Sequence, residues 1–342
     1  MNKKILGVLQ YLFFLALGIF LLWWSLRKVD DKGWLDIKNS FLNARYLVII
    51  PIVVALLASH YSRALRWKIL MEPMGYNPRI SNTFLAVLIG YMANLAVPRL
   101  GEILKCTILA RYEKVPADKL VGTIVAERAF DVVCLMIIIA AAFFTQTDII
   151  GEYFSTVLRD AFGSKTGGIS LQRLLVSLSV LVIVFSIFIF LLRKFAHVSF
   201  IQKTKSIIRG VWQGIISVKN VKKKGPFIFH TIFIWAMYLL SVRLGFMAMQ
   251  ETSIFAWKPS LSVLSSGSLA MIMPSPGGLG FYPVFVQKTM ELYGLKDTIG
   301  FAFGALMWGA QFFQMLLSGF VALLLFPFLN KQKKVHEESR PY

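Results

Sequence analysis

The residues most able to carry chemistry are ionisable side chains inside an otherwise apolar run. Glu127, Arg128 and Asp131 open a run that continues without charge to Phe144. Glu127 and Asp131 are four residues apart and share one face of a helix, while Arg128 can pair with Asp131 three residues later. Charges in such a setting face a partner or a cavity, because lipid does not solvate them. The pattern is compatible with a packing role and with a role in substrate or proton movement.

The first of two Pro- and Gly-interrupted segments forms a candidate anion site. Pro98 suits the first turn of a new helix, where its missing N–H leaves no bond unmade. Free backbone N–H groups at a helix start, together with the Arg99 guanidinium, attract an anion. The residues assigned to this candidate site are Asn94, Pro98, Arg99, Gly101 and Glu102.

The second interrupted segment carries no charge, but its glycines allow a ligand to approach the backbone closely. Its candidate binding residues are Pro274, Pro276, Gly277, Gly278 and Gly280. Either segment alone could be a packing kink. Two half-helix ends that meet from opposite faces would form a cradle suited to a phosphate headgroup, because each presents free backbone N–H groups.

A basic and aromatic group, Arg63, Arg66 and Trp67, follows the second apolar run. Such a cluster is typical of a membrane interface, where it orients the chain or contacts lipid headgroups. The two cysteines and four histidines lack metal-ligand spacing, so neither a metal nor a cofactor is predicted. Two carboxylates on one face could suggest acid–base hydrolysis. No nucleophile, metal-ligand set or nucleotide loop accompanies them, and an enzyme is therefore not favoured.

The composition indicates a chain solvated by lipid. Of 342 residues, 57% are apolar and only 16% are charged, whereas a soluble domain carries about 25% charged residues. Lys and Arg number 37 against 17 Asp and Glu, which gives a net charge of +20. In a membrane protein this surplus belongs at the edges of the bilayer, and it does not indicate a nucleic-acid-binding face.

Six apolar runs have the length of full spans, at 5–26, 46–61, 120–144, 171–192, 227–249 and 298–328. Two further regions, 80–109 and 261–292, are broken in the middle by Pro and Gly. Irregular backbone at membrane depth must be buried in protein or line a cavity. The sequence therefore predicts an all-α polytopic membrane protein with six transmembrane helices and two re-entrant broken-helix hairpins.

Charge sets the orientation of this topology. The loop 193–224 holds nine basic and no acidic residues. It therefore belongs inside, which favours a re-entrant first broken region over one that crosses the bilayer. The predicted topology makes both broken regions re-entrant and both termini cytoplasmic. Arg63, Arg66 and Lys105 are counted with the cytoplasmic charges, and 197–224 has the spacing of a basic amphipathic helix on an anionic leaflet.

The predicted topology contains an internal repeat. The halves, about 1–145 and 171–330, have the same order of elements in opposite directions, as in an inverted-topology repeat. We expect one membrane domain, 1–330, followed by a basic cytoplasmic tail, 331–342.

The order of the motifs resembles a known family. Arg63-x-x-Arg66-Trp67, the segment from Asn94 to Glu102, Glu127-Arg128-x-x-Asp131 and the glycine-rich run that ends at Gly280 occur in the order seen in the lysylphosphatidylglycerol synthase transmembrane-region family. The chain is similar to these flippase-like integral membrane proteins over about residues 5–330. In bifunctional members this domain resembles a lipid flippase beside a separate aminoacyl-transferase domain. The resemblance here implies a stand-alone member in the cytoplasmic membrane of a bacterium, without lysyl transfer.

We therefore expect a protein that binds or translocates a lipid or lipid-linked anion, with anionic membrane lipids as partners and no nucleic acid. One alternative is a membrane-embedded enzyme that acts on a lipid-linked substrate through Glu102, Glu127 and Asp131. Another is a non-catalytic scaffold for a partner enzyme.

Overall fold

A computed structural model describes residues 3–146, 221, 223–273 and 275–338. The predicted span at 171–192, most of the predicted amphipathic segment at 197–224, and Pro274 lie outside the described residues. The described part of the chain is all α-helical and contains no strand. Its ten helices are α1 Lys3–Leu26, α2 Asp31–Leu42, α3 Ile49–Met71, α4 Ile80–Ala96, α5 Leu100–Glu113, α6 Ala117–Thr145, α7 Lys224–Phe246, α8 Trp257–Ile272, α9 Phe281–Glu291 and α10 Asp297–Glu338.

Several helices are long and apolar enough to cross a membrane. Three segments qualify among the described residues, namely Tyr46–Met74, Lys224–Phe246 and Asp297–Asn330. A fourth results if Leu12–Leu26 and Asp31–Leu42, which are bent by 112° relative to each other, form one span. A helix of 20 residues is about 30 Å long, so each of the three can cover the hydrocarbon core.

Helix α2 lies between the first two predicted spans, where the sequence predicts no helix. Asp30 caps it, because its carboxylate accepts a 2.8 Å hydrogen bond from Gly33 N. Ile37 is buried, whereas Trp34 and Leu35 are about half exposed. A bend of 112° separates this helix from α1.

Helices α4 and α5 form an antiparallel hairpin around the first break. At the open end of the hairpin, the Asn82 amide donates to the Glu113 carboxylate. Near the break, Gly90 packs directly on Gly101, where an added Cβ would overlap the Gly90 carbonyl. Arg99 reverses the chain with a left-handed backbone, φ 69°. Helix α5 thus returns to the end of the molecule at which α4 begins.

Helices α8 and α9 form a second antiparallel hairpin. At its open end, Tyr293 Oη donates to Ser262 Oγ over 2.8 Å, and nearer the break Gly267 lies against the ring of Tyr282. Three glycines at the break have positive φ, Gly277 at 53°, Gly278 at 74° and Gly280 at 78°. Side chains with a Cβ disfavour this backbone region, which explains why glycine occupies these positions.

The helix ends gather at two opposite ends of the molecule. At one end, Lys223 Nζ before α7 lies 2.8 Å from Glu72 Oε1 after α3. The α4–α5 hairpin opens here too, because α4 begins soon after Glu72. At the other end, Arg45 N before α3 donates to Ala248 O after α7 over 2.7 Å.

The second hairpin opens at this other end. Gln146, which follows α6, donates to Lys258 O at the start of α8 over 3.0 Å. The two hairpins therefore enter the molecule from opposite ends. Their breaks lie side by side, since an added Cβ at Gly277 would be 2.8 Å from Leu95 Cδ2 at the end of α4.

Two buried apolar clusters support the hairpins. One surrounds Phe246, Val286 and Phe303, and joins α9 to α7 and α10. The other surrounds Trp67 and Leu109, and joins α5 to α3 and α4. The charged candidate residues Glu127, Arg128 and Asp131 lie beside this second cluster.

Candidate functional site

Two arginines of α3 reach the two carboxylates of α6. Arg63 Nη1 donates to Glu127 Oε1 and to Asp131 Oδ2, each over 2.6 Å. Arg66 Nη2 donates to Asp131 Oδ1 over 2.7 Å and lies 3.6 Å from Glu127 Oε1. The arginines are three residues apart and the carboxylates four, so each pair occupies one helix face and the charges alternate. Arg66 and Glu127 have no exposed surface, and Arg63 has 4%.

Lys105 of α5 adds a third buried cation. Its Nζ lies 3.3 Å from Glu127 Oε2 and 4.7 Å from the centre of the Trp67 ring. A carboxylate and an aromatic face thus share the stabilisation of its charge. Trp67 Nε1 in turn donates to Thr123 Oγ1 over 2.7 Å, which holds the ring between α3 and α6.

Helix α7, which belongs to the second half of the chain, contacts the cluster through two hydroxyl groups. Arg66 Nη1 donates to Thr231 Oγ1 over 3.2 Å, and Arg63 Nη2 donates to Tyr238 Oη over 3.4 Å. Each buried guanidinium therefore contacts two carboxylates and one hydroxyl. Ion pairs and hydrogen bonds of this kind make buried charge tolerable in a low-dielectric environment, although the Nε atom of each guanidinium has no hydrogen-bond partner among the described residues.

Arg128 and Glu102 form a more accessible ion pair at the edge of this cluster. Arg128 Nη2 donates to Glu102 Oε1 over 2.9 Å, and its side chain is 44% exposed. The predicted pairing of Arg128 with Asp131 exists only as a long contact of 4.0 Å. The stronger bond links α6 to the first turn of α5, beside the break.

A small cavity lies between the break and the charge cluster. Its volume is about 10 Å³, room for about one water. Three cations, Arg63, Lys105 and Arg128, line it with a single carboxylate, Glu102, and with Tyr91 and Asn94. Its charged lining is therefore net positive. Within the described residues, Arg63 Nε and Glu102 Oε2 are buried without a hydrogen-bond partner.

The first break presents part of the predicted anion site. The sequence predicts Pro98 in the first turn of a helix. Helix α5 begins only at Leu100, so Pro98 precedes the helix. Asn94 Oδ1 accepts a 2.8 Å bond from Gly101 N, which uses one of the free N–H groups. Arg99 itself is exposed.

The second break is uncharged and tightly packed. Trp308 Nε1 of α10 donates to Gly277 O over 2.8 Å. Pro276 and Gly278 are buried, and Gly280 packs on Gly18 of α1 so closely that a Cβ would overlap the Gly18 carbonyl. Ser275 Oγ is buried without a partner among the described residues.

The structure thus divides the predicted site residues into groups. Glu102, Glu127, Arg128 and Asp131 join in one ion-pair network with Arg63 and Arg66. These two arginines and Trp67 do not form an exposed interfacial cluster, because all three are buried. The glycines of the second break approach the first break through Leu95 and do not contact the charge network in the described part of the chain.

The sequence does not indicate the places of Lys105 and His60 in this site. Lys105 was counted as a cytoplasmic loop charge, yet it is 5% exposed and pairs with Glu127. His60 on α3 stacks on Tyr91 with ring centres 4.3 Å apart and lies 3.3 Å from Gln314 of α10. The sequence offers one indication that His60 lies near the site, because it is three residues before Arg63 on the same helix.

The chemistry of this arrangement is recognition of charge. Cations outnumber carboxylates in the network, four against three, and three of the cations line a cavity beside a helix start. Among the residues that the structure describes, no group of three His, Cys, Asp or Glu side chains could hold a metal ion.

Helical spans, a charged interior and hairpins broken within apolar sequence define a multi-pass integral membrane protein. The chain belongs to the family described as the lysylphosphatidylglycerol synthase TM region, whose model matches residues 11–319. It is also similar to a UPF0104 membrane protein of Methanocaldococcus jannaschii, with 29% identity over 133 residues, which cover 38% of this chain and 36% of the relative. No solved structure matches the chain significantly.

Proposed function

We propose that this protein binds an amphiphile with an anionic headgroup and moves it across the cytoplasmic membrane. The observation that supports this proposal is the cavity beside the first break, which is lined by Arg63, Lys105 and Arg128 and by a single carboxylate, Glu102. An anion that enters this cavity neutralises a net positive site. The hydrogen-bond donors that an anionic headgroup requires are already positioned there.

The cavity is too small for a headgroup in this conformation, since its volume is about 10 Å³. Arg128 and Glu102 form its most exposed ion pair and connect α6 to α5. Separation of this pair would open the cavity, and a headgroup phosphate would replace Glu102 as the partner of Arg128. Alternating exposure of the site would follow from movement of one hairpin against the other, as in inverted-repeat transporters.

The proposal includes the topology that the charge pattern predicts. It comprises six spans, two re-entrant hairpins, an inverted repeat and cytoplasmic termini. The pair between Glu72 and Lys223 supports one shared end for α3 and α7. The bond from Asn82 to Glu113 supports a hairpin that leaves on the side where it entered.

The test is lipid translocation in proteoliposomes. The purified protein is reconstituted in phosphatidylcholine vesicles with a trace of fluorescent phosphatidylglycerol, and dithionite quenching reports the lipid in the outer leaflet. Wild-type protein is expected to speed translocation of phosphatidylglycerol more than that of fluorescent phosphatidylcholine. Arg128→Gln is expected to slow it by about tenfold, the loss of one charge-assisted bond of about 1.4 kcal/mol.

A matched control is Lys223→Gln, which also breaks an ion pair with a glutamate but lies away from the cavity. It is expected to translocate lipid as wild type does. The proposal fails if wild-type vesicles move phosphatidylglycerol no faster than protein-free vesicles, or if Arg128→Gln and Lys223→Gln are equally active. An enzyme would instead change the chemical identity of the lipid, which mass spectrometry of the same vesicles detects.

A further inference from the structure

Helix α2 lies at an end of the molecule where membrane-spanning helices begin. Its Gly33 packs on the first turn of α10, since an added Cβ would be 2.9 Å from Thr298 Cγ2. Lys296 Nζ, just before α10, lies 3.5 Å from Asp36 Oδ2 of α2. The segment Tyr46–Met74, which contains α3, starts soon after α2 ends. Both α10 and this segment are long and apolar enough to cross a membrane, so α2 lies at the level of the membrane–water boundary.

Aromatic side chains mark the same boundary on both sides of α2. Near the end of α1, Trp23 and Trp24 are about half exposed, and the Arg27 guanidinium lies 3.5 Å from the centre of the Trp24 ring. At the other end of α2, Tyr46 Oη donates to Phe41 O over 2.7 Å. Trp and Tyr are enriched at membrane–water interfaces, because each combines an apolar ring with a polar group.

The axis of α2 runs close to the plane of this boundary. It is bent by 112° from Leu12–Leu26 of α1, about 22° more than a right angle. Transmembrane helices tilt by about 20° from the bilayer normal. An α1 that crosses the bilayer therefore leaves α2 lying along the membrane surface.

Three strips of residues run along the surface of α2, because residues three, four and seven apart share a helix face. The first strip is buried against the protein and consists of Gly33, Ile37 and Ser40. The second strip is polar and consists of Lys32, Asp36 and Asn39. The third strip is apolar and exposed within the described part of the chain, and consists of Trp34, Leu35 and Leu42. We call this third group the α2 apolar strip.

The three strips divide the circumference of the helix about equally, at 3.6 residues per turn. A helix at a membrane boundary has three such surroundings, namely protein, water and lipid. Lys38 lies between Leu35 and Leu42 on the lipid side. There its hydrocarbon stem covers apolar surface while its ammonium reaches the headgroup phosphates. Asp31 is on this side too, in the first turn, where the positive end of the helix dipole stabilises its carboxylate.

We infer that α2 is an interfacial helix that binds the lipid surface of the bilayer through the α2 apolar strip. Lipid is the occupant because the strip lies at the level where the neighbouring spans enter the bilayer, and lipid surrounds those spans. Helix α2 is therefore not the second half of a bent span. This inference is independent of the substrate and of the proposed translocation.

The test places a fluorophore on each exposed strip of the full-length protein. Leu35→Cys and Leu42→Cys, on the α2 apolar strip, are labelled with the fluorophore NBD. Asn39→Cys, on the polar strip of the same helix, is the matched control. The parent protein, which contains only Cys106 and Cys134, gives the background labelling. In phosphatidylcholine vesicles, quenching is measured with iodide in the water and with nitroxide-labelled phosphatidylcholine in the bilayer.

Positions 35 and 42 are expected to be quenched by nitroxide lipid at least about twofold more strongly than position 39, since the apolar face of an interfacial helix lies about 5–10 Å deep at the headgroup boundary. Iodide is expected to quench position 39 most strongly. Equal iodide quenching at all three positions would place the strip in water and overturn the inference.

Two further outcomes would also overturn it. Stronger quenching of position 42 by a nitroxide near the methyl end of the lipid chain than by one near the headgroup would make α2 part of a span. A strip that neither quencher reaches, or that lipid reaches only when the vesicles contain little protein, would be covered by this chain or by a second copy.

Discussion

Glu127 has no exposed surface and is bonded to Arg63 and Lys105 on two different helices. Removal of one member of such a network leaves the opposite charges buried and unpaired. That loss is far larger than for an exposed pair, since the penalty is the desolvation of the remaining partners and not the bond itself. The position of each carboxylate thus decides whether it stabilises the fold or is available to a ligand.

Glu127→Gln is therefore expected to lower the free energy of unfolding by about 3–5 kcal/mol. Glu102→Gln is the matched control, because its partner Arg128 is 44% exposed, and it is expected to cost at most about 1 kcal/mol. Thermal unfolding of the purified protein in detergent measures both. Equal losses in the two variants would contradict a stabilising role for the buried network.

The double variant Glu127→Gln with Lys105→Met tests whether the loss of stability comes from cations that are left buried and unpaired. It removes the carboxylate together with one cation that depends on it, and is expected to recover part of the lost stability. A double variant less stable than Glu127→Gln alone would show that Lys105 stabilises the fold independently of Glu127.

At the scale of the elements, glycines set how closely the hairpin helices approach. A Cβ at Gly101 would overlap the Gly90 carbonyl, so α4 and α5 touch backbone to backbone at this point. The same contact places Lys105 of α5 next to Glu127 and Glu102 of α5 next to Arg128. Small residues are the common means of close helix packing in membranes.

Gly101→Ala is expected to destabilise the protein by about 1–3 kcal/mol or more and to separate the two helices. Gly122→Ala, in a helix where the added Cβ meets nothing within 4 Å, is expected to be neutral or to stabilise by up to about 1 kcal/mol. The midpoint of thermal unfolding separates them. Identical midpoints would argue against the close contact of α4 with α5.

At Gly280 of the second hairpin a substitution has both a packing cost and a backbone cost, because its positive φ is combined with ψ −42°, outside the left-handed helical region. Gly280 and Gly294 have nearly the same φ, 78° and 76°, but only Gly280 packs on another helix. Gly294→Ala is expected to cost about 1–2 kcal/mol from its backbone alone. Gly280→Ala is expected to cost clearly more by the same melting assay, and a smaller cost than that of Gly294→Ala would rule out the α1 contact.

The elements were largely predictable, whereas their contacts were not. Pro98 and the glycines at 277–280 marked both breaks, because local backbone preferences determine where a helix ends. The burial of Arg63 and Lys105 depends on Glu127, which is 64 and 22 residues away in sequence, and no local pattern records such a contact. Helix α2 was missed because its apolar face is short and mixed with charges.

For the whole molecule, the arrangement of the helix ends makes a prediction about sidedness. Gly75→Cys and Ala117→Cys lie before α4 and after α5, and Gly294→Cys follows α9. In a background without Cys106 and Cys134, a membrane-impermeant maleimide is expected to label position 294 in intact cells. Positions 75 and 117 are expected to react only after permeabilisation. Labelling of 75 and 117 from different sides would refute the first re-entrant hairpin.

The contact of α1 with the second hairpin also constrains how the chain is made. Ser25 Oγ donates to Gln287 Oε1 over 2.6 Å across 262 residues of sequence, and Gly18 meets Gly280 on the same side of α1. A ribosome adds about 5–20 residues per second, so α1 waits on the order of tens of seconds for these partners. During biogenesis its glycine face must therefore remain free of other permanent neighbours, and its docking is a late event in assembly.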